Sequence, residues 1–149
     1  MVHAFKKSIK TNTLTQGFSL IEIVVAIAIM AILTTLVVPQ VFRYVGRAKN
    51  LKTTTSLKAI KNSVMEFQMD TGQLPANLID LAVRPNAAAI GQRWKGPYLD
   101  EKSIEADGWG NEFIYRKNSP GSKKPYDLYS WGTNGEGSPE NEWIDAWTV

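Results

Sequence analysis

A carboxylate sits where its neighbours leave it no water. Glu22 lies four residues after Phe18 in the run FSLIEIVVAIAIMAILTTLVV, 21 residues over 18–38. As a helix rising ~1.5 Å per residue, that run matches a bilayer core ~30 Å thick. A charge inside such a segment costs roughly 2.5–3.5 kcal/mol even on lenient insertion scales. The plain reading is a carboxylate near a helix end that reaches back to the interface. The sharper one is that Glu22 pairs with a cation equally out of place in lipid. Acids gather again at the other end of the chain. Asp127, Glu136, Glu140, Glu142 and Asp145 fall in 127–149, a stretch without Lys or Arg. Four of them lie in the loop GTNGEGSPENEWID, whose carboxylates, amides and backbone carbonyls are the oxygen donors that calcium takes, about six to eight at a time. The alternative is an unmetallated acidic loop held by Trp131, Trp143 and Trp147 packing on a sheet.

Nothing comparable points to catalysis. The one histidine is His3, and there is no cysteine. No G-x-S-x-G, phosphate-binding glycine loop or H-E-x-x-H occurs, so no catalytic residue and no organic cofactor are expected, and the chain reads as not an enzyme. Any oxidising compartment would have to be met without disulfides. The net charge of +3 resides in Lys6, Lys7 and Lys10, ahead of the apolar run; the rest of the chain is balanced. A second basic stretch, Arg43 to Lys61, holds six Lys or Arg and no acid. It reads as the wet face of a helix leaving a membrane, because nucleic-acid binding needs a basic face interleaved with aromatics. No nucleic-acid partner is expected.

These groups need elements to carry them. A cleaved secretory signal would show a shorter apolar core and a small-residue site after it, whereas Pro39-Gln40-Val41 and more helix follow here. Pro39 removes one helical hydrogen bond and can kink the helix where the membrane ends. Further on, Leu57, Ile60, Val64 and Phe67 form one apolar stripe, with Lys58 and Lys61 on the wet face. Stop signals come at Asp70-Thr71-Gly72, with Pro75 beyond, which gives one helix of roughly fifty residues. A turn and short second helix are expected over Leu74 to Val83, then a loop with Gly91, Gly96 and Pro97. Phe113 to Arg116 and Tyr126 to Trp131 are aromatic β-type runs separated by NSPGSKKP turn chemistry. The fold class is therefore α+β, a long N-terminal helix packed on a small antiparallel sheet of two to four strands.

The string Gly17-Phe18-Ser19-Leu20-Ile21-Glu22, opening an unbroken apolar helix, resembles the prepilin signature of type IV pilins and pseudopilins. Later motifs narrow the likeness to the major pseudopilins of type II secretion systems. Asp107-Gly108-Trp109-Gly110-Asn111-Glu112-Phe113 is similar to their D-P-W-G-N turn, with Gly108 where Pro is usual. Tyr126 to Gly132 is similar to their last-strand motif, Ile144-Asp145-Ala146-Trp147 to their closing I-x-x-W, and Leu74-Pro75 with Leu78 to Leu81 to a further stretch.

The resemblance implies a pilin-like fold with three parts: a leader over 1–17, a transmembrane and polymerisation helix over 18–42, and a periplasmic domain over 43–149. It implies that prepilin peptidase cuts between Gly17 and Phe18 and that the new Phe18 amine is methylated. That ammonium would pair with Glu22 of a neighbouring subunit, and Pro39 would let the helix bend or melt in the filament. The expected role is the major subunit of the periplasmic pseudopilus, which helps drive folded proteins through the outer-membrane secretin. The alternative is a type IV pilin for adhesion, motility or DNA uptake. Expected partners are further copies of the chain, prepilin peptidase, minor pseudopilins, the inner-membrane assembly platform and inner-membrane lipid. The family's topology is single-pass in the bacterial inner membrane with a periplasmic C-terminal domain. Charge counting leans the other way, since Arg43, Arg47, Lys49, Lys52 and Lys58 follow the span; long domains, however, translocate largely regardless of charge.

The family also implies calcium in the acidic loop, with Asn134 and Glu142 as the side-chain candidates. Here the loop departs from the pattern: Asn134 stands where an Asp is usual, and Glu142-Trp143 replace two adjacent Asp.

Glu22→Ala or Glu22→Gln is expected to abolish filament assembly while leaving membrane insertion intact. Carbonate extraction and filament yield separate the two, and normal yield from either variant overturns the assigned role.

Overall fold

A computed structural model describes residues 17–149; the leader expected over 1–17, apart from Gly17, lies outside the described residues. The described residues divide into two units, one ending at Val41 and the other Phe42–Val149, and the first helix, α1 (Leu20–Thr71, 52 residues), takes part in both.

In the first unit α1 is apolar on every side. Leu20, Ile21, Ile27, Met30 and Ile32 are each more than half exposed, as expected of a helix whose natural solvent is hydrocarbon. It is the one helix among the described residues long and apolar enough to cross a membrane. The two threonine hydroxyls of its apolar run are satisfied within the helix. Thr34 Oγ1 donates to the Met30 carbonyl at 2.7 Å and Thr35 Oγ1 to the Ile32 carbonyl at 2.7 Å, which removes the cost of bare hydroxyls in lipid.

In the second unit the same helix becomes one-sided. Leu57, Ile60, Val64 and Phe67, the predicted stripe, are all fully buried. They meet Leu78 and Leu81 from a single 3-10 turn (Leu78–Leu81), Phe113, Tyr126, Leu128 and Ala146 in one core. α1 stops at Thr71, whose hydroxyl donates back to the Phe67 carbonyl at 2.7 Å, and the Gly72 amide closes on Gln68 at 2.8 Å.

The sheet has three antiparallel strands in the order β1 (Ile114–Lys117), β2 (Tyr126–Ser130) and β3 (Ile144–Asp145). Ile114 faces Tyr129 across the first pair, and Ser130 faces Ile144 across the second. Along β2, Tyr126, Leu128 and Ser130 point into the core while Asp127 and Tyr129 point away, the period of two that a half-buried strand requires.

Two expectations need correction. The segment taken as a plain loop carries a helical turn, α2 (Ala88–Gly91), and is pinned: Trp94 Nε1 donates to the Asp80 carbonyl at 3.0 Å and the Tyr98 amide to Leu81 at 2.8 Å. A second such turn, α3 (Lys102–Glu105), follows. Lys61 is not on the wet face. Its ammonium donates to the Ala146 carbonyl at 3.1 Å and lies 4.5 Å from the Trp147 ring centre, so its long stem covers apolar surface while its head ties β3 to α1.

Phe67→Ala should cost about 3–5 kcal/mol of stability by leaving a cavity in the stripe. The exposed Lys58→Ala should stay within about 0.5 kcal/mol. Urea denaturation of the two variants checks the contrast.

Candidate functional site

The N-terminal site is built on a helix start. Gly17, Phe18 and Ser19 precede α1, and Phe18 is 80 % exposed. The Ser19 carbonyl accepts from the Glu22 amide at 3.0 Å and the Ile23 amide at 3.3 Å, which makes Ser19 the residue that opens the helix. Glu22 is thus in the first turn, where the unpaired amides and the helix dipole favour negative charge. The carboxylate is held at the end of the apolar segment next to the Gly17–Phe18 junction. Pro39 lies inside α1, which continues through it. Having no N–H, it leaves the Thr35 carbonyl without its helical donor, a local weakness close to the boundary of the two units at Val41.

The C-terminal loop hangs on a buried carboxylate that the sequence reading passed over. Asp107 is 1 % exposed. Its Oδ1 accepts from the Trp109 amide at 2.8 Å and the Asn111 amide at 2.9 Å; its Oδ2 accepts from the Ser130 hydroxyl and from Asn111 Nδ2 at 3.3 Å. Asn111 Nδ2 also donates to the Gly132 carbonyl at 3.0 Å, and the Gly132 amide to Ser130 Oγ at 3.0 Å. On the other side, Lys52 Nζ donates to the Asp107 carbonyl at 3.0 Å and the Gly108 amide to Thr53 Oγ1 at 2.8 Å. One turn therefore joins α1, the end of β2 and the start of the acidic loop. This arrangement also accounts for Gly108: a Cβ there would lie 2.2 Å from the Lys49 carbonyl oxygen, and a proline would lack the amide that Thr53 receives. The sequence signal was an Asp followed at i+2 and i+4 by Trp109 and Asn111 amides within a Gly-rich turn, the pattern of a carboxylate capping its own backbone.

The two predicted metal candidates do meet. Asn134 Nδ2 donates to Glu142 Oε2 at 2.6 Å, each from a single 3-10 turn, Gly132–Asn134 and Glu140–Glu142. Other acids of the loop are not drawn to them. Asp145 accepts from Lys124 Nζ and from the Trp147 amide at 2.8 Å. Asp127 accepts from Asn118 Nδ2 at 3.1 Å. Among the described residues no three His, Cys, Asp or Glu converge. At this pair the converging side chains are one carboxylate and one amide already bonded to each other, and calcium takes about six to eight oxygens, so these side chains by themselves do not fit that ion.

Burial pushes the Asp107 carboxyl up, but hydrogen bonds from Ser130, the Asn111 and Trp109 amides and the Asn111 side chain outweigh it and hold the group below its ordinary value. A depressed folded-state pKa adds stability that is present above the unfolded value and lost as pH falls through the folded one. Asp107→Asn should therefore destabilise by on the order of 2 kcal/mol near neutral pH, with the gap to the parent narrowing below about pH 4. Urea melts at neutral and acid pH read both.

Known proteins match both ends of this description. Residues 13–38 fit the model for the prokaryotic N-terminal methylation motif, and residues 40–147 that for type II secretion system protein G. The chain is 37% identical to type II secretion system core protein G of Pseudomonas aeruginosa, over 85% of this chain and 90% of that one. It is 33% identical to the protein of that name from Xanthomonas campestris (80% and 79% covered) and 31% identical to the one from Escherichia coli (89% and 90% covered). The long apolar helix, the three-stranded sheet and these matches together show that the chain belongs to the type II secretion system protein G family, the major pseudopilins.

Proposed function

We propose that the chain is made as a precursor, cut by prepilin peptidase between Gly17 and Phe18, methylated at Phe18, and polymerised into a periplasmic pseudopilus. It waits in the inner membrane on α1, its C-terminal domain in the periplasm. It leaves that membrane for a filament founded on the assembly platform and minor pseudopilins, which helps drive folded proteins through the outer-membrane secretin. Its role is structural, with no catalysis of its own.

The observation that carries this reading is the placement of Glu22: one carboxylate in the first turn of a helix otherwise apolar on all sides, four residues from the proposed new amine. Cleavage creates an ammonium and leaves a carboxylate, each costly in hydrocarbon. If a neighbour's Glu22 neutralises the Phe18 amine, adjacent helices are offset by four residues, ~6 Å or about one turn. Addition of a subunit in any other register leaves two charges unpaired, so the electrostatics enforce the register that the apolar surface alone does not. Matching to protein G across 40–147 favours a secretion pseudopilus over a type IV pilus.

The test is intact mass and N-terminal sequencing of the chain from cells with and without prepilin peptidase. Loss of the first 17 residues and a methylated Phe18, only where the peptidase is present, is the expected result. A leader retained in both strains overturns the reading and leaves α1 as an ordinary anchor.

A further inference from the structure

The C-terminal loop has a closure of its own, and it is aromatic. Trp143, which stands in one of the acidic places of the family pattern, lies flat on Tyr129 with ring centres 4.3 Å apart and planes 5° from parallel. Trp131 meets both edge-on, at 5.3 Å from Tyr129 and 5.0 Å from Trp143. Tyr129 points away from the core along β2, so the cluster covers the outer face of the sheet. Stacked and edge-to-face ring pairs add stability beyond the area they bury.

Polar bonds lock the cluster to the loop it closes. Trp143 Nε1 donates to the Ser138 carbonyl at 2.8 Å, and Ser138 Oγ donates to the Trp131 carbonyl at 2.8 Å. The loop between the two tryptophans is thereby stitched at its middle as well as its ends. The chain's two passages also touch directly: a Cβ on Gly132, whose φ is +74°, would lie 2.8 Å from the Glu142 carbonyl oxygen. Three oxygens of the loop hold hydrogen bonds of its own closure. Glu142 holds Asn134, the Gly132 carbonyl holds Asn111 and the Trp131 carbonyl holds Ser138. Trp147, grouped with the other two in the sequence reading, belongs elsewhere; it packs on Tyr126 and donates to the Tyr126 carbonyl at 3.1 Å.

We infer that the Tyr129–Trp131–Trp143 clamp closes this loop in place of a metal ion, so that the subunit folds independently of calcium. Trp143 puts a ring, stacked on Tyr129 and met edge-on by Trp131, where the family pattern has an acid. The loop then depends on apolar burial and a handful of neutral hydrogen bonds, neither of which a chelator can remove.

The experiment is thermal unfolding of the full-length chain in detergent, followed by near-ultraviolet circular dichroism, in EGTA and in excess calcium. Terbium is titrated in parallel, with Trp131 and Trp143 as built-in sensitisers. The unmodified chain should melt at the same temperature in both buffers and give no saturable terbium emission. Trp143→Ala should lower the melting temperature by about 5–10 °C, equally with and without calcium, and Trp143→Phe, which keeps a ring to stack, by less than half of that. A rise in melting temperature when calcium is added to the unmodified chain overturns the proposal. So does saturable terbium emission that Glu142→Gln abolishes, or a Trp143→Ala chain that melts like its parent.

Discussion

Burial of one stripe on α1 is the constraint to which the rest of the domain answers. Leu57, Ile60, Val64 and Phe67 have no exposure, and every other element of the core touches them or a neighbour of theirs. A sheet of three short strands, the last of only two residues, would be marginal in water by itself. The helix supplies the apolar face that makes it worth folding, and the sheet in return hides the stripe that would otherwise face solvent. The same helix N-terminal to this region has no preferred side at all. A uniform apolar surface suits lipid, and a stripe suits a packed domain; α1 carries the two patterns in succession.

Apolar packing sets no register, and the polar contacts of the domain do that work. Asp107 is the principal one: through a single turn it reaches Lys52 and Thr53 on α1, Ser130 at the end of β2 and, by way of Asn111, the Gly132 turn. Lys61 repeats the device further along the helix by holding the Ala146 carbonyl. Asp107 is buried at low cost because both its oxygens accept hydrogen bonds, and half-buried Lys61 has the Ala146 carbonyl and the face of Trp147. The acidic loop then needs only a local closure, which Trp131 and Trp143 provide against Tyr129.

For a filament subunit this division of labour is consistent. In the proposed filament the assembly chemistry would sit at the N-terminus, on Glu22 and the Phe18 amine, where mispairing is costly because the medium is apolar. The folded domain is stabilised separately, by a core and a polar node that contain none of the assembly residues. Stability and polymerisation can then be altered one without the other.

How much was legible in advance follows from the range of each interaction. The apolar run, the Glu22 anomaly, the stripe and the stop at Thr71 are patterns within one helix, and helical periodicity writes them directly into consecutive residues. The two longer strands were visible for the same reason, while β3, with two residues, offers no period to read. Residues 55 positions apart meet at the Lys52–Asp107 contact and residues 85 apart at Lys61–Ala146. Nothing in the local sequence distinguishes half-buried Lys61 from Lys58, which stays exposed. In the acidic loop it is β2 that puts Tyr129 beneath Trp143, a contact no local pattern announces. What the sequence determined alone was therefore the medium each part of α1 occupies and the residues that can pair within it. Which polar groups are buried, and which rings stack across the acidic loop, only the tertiary structure decided, because burial and partners belong to the folded chain and not to any segment of it.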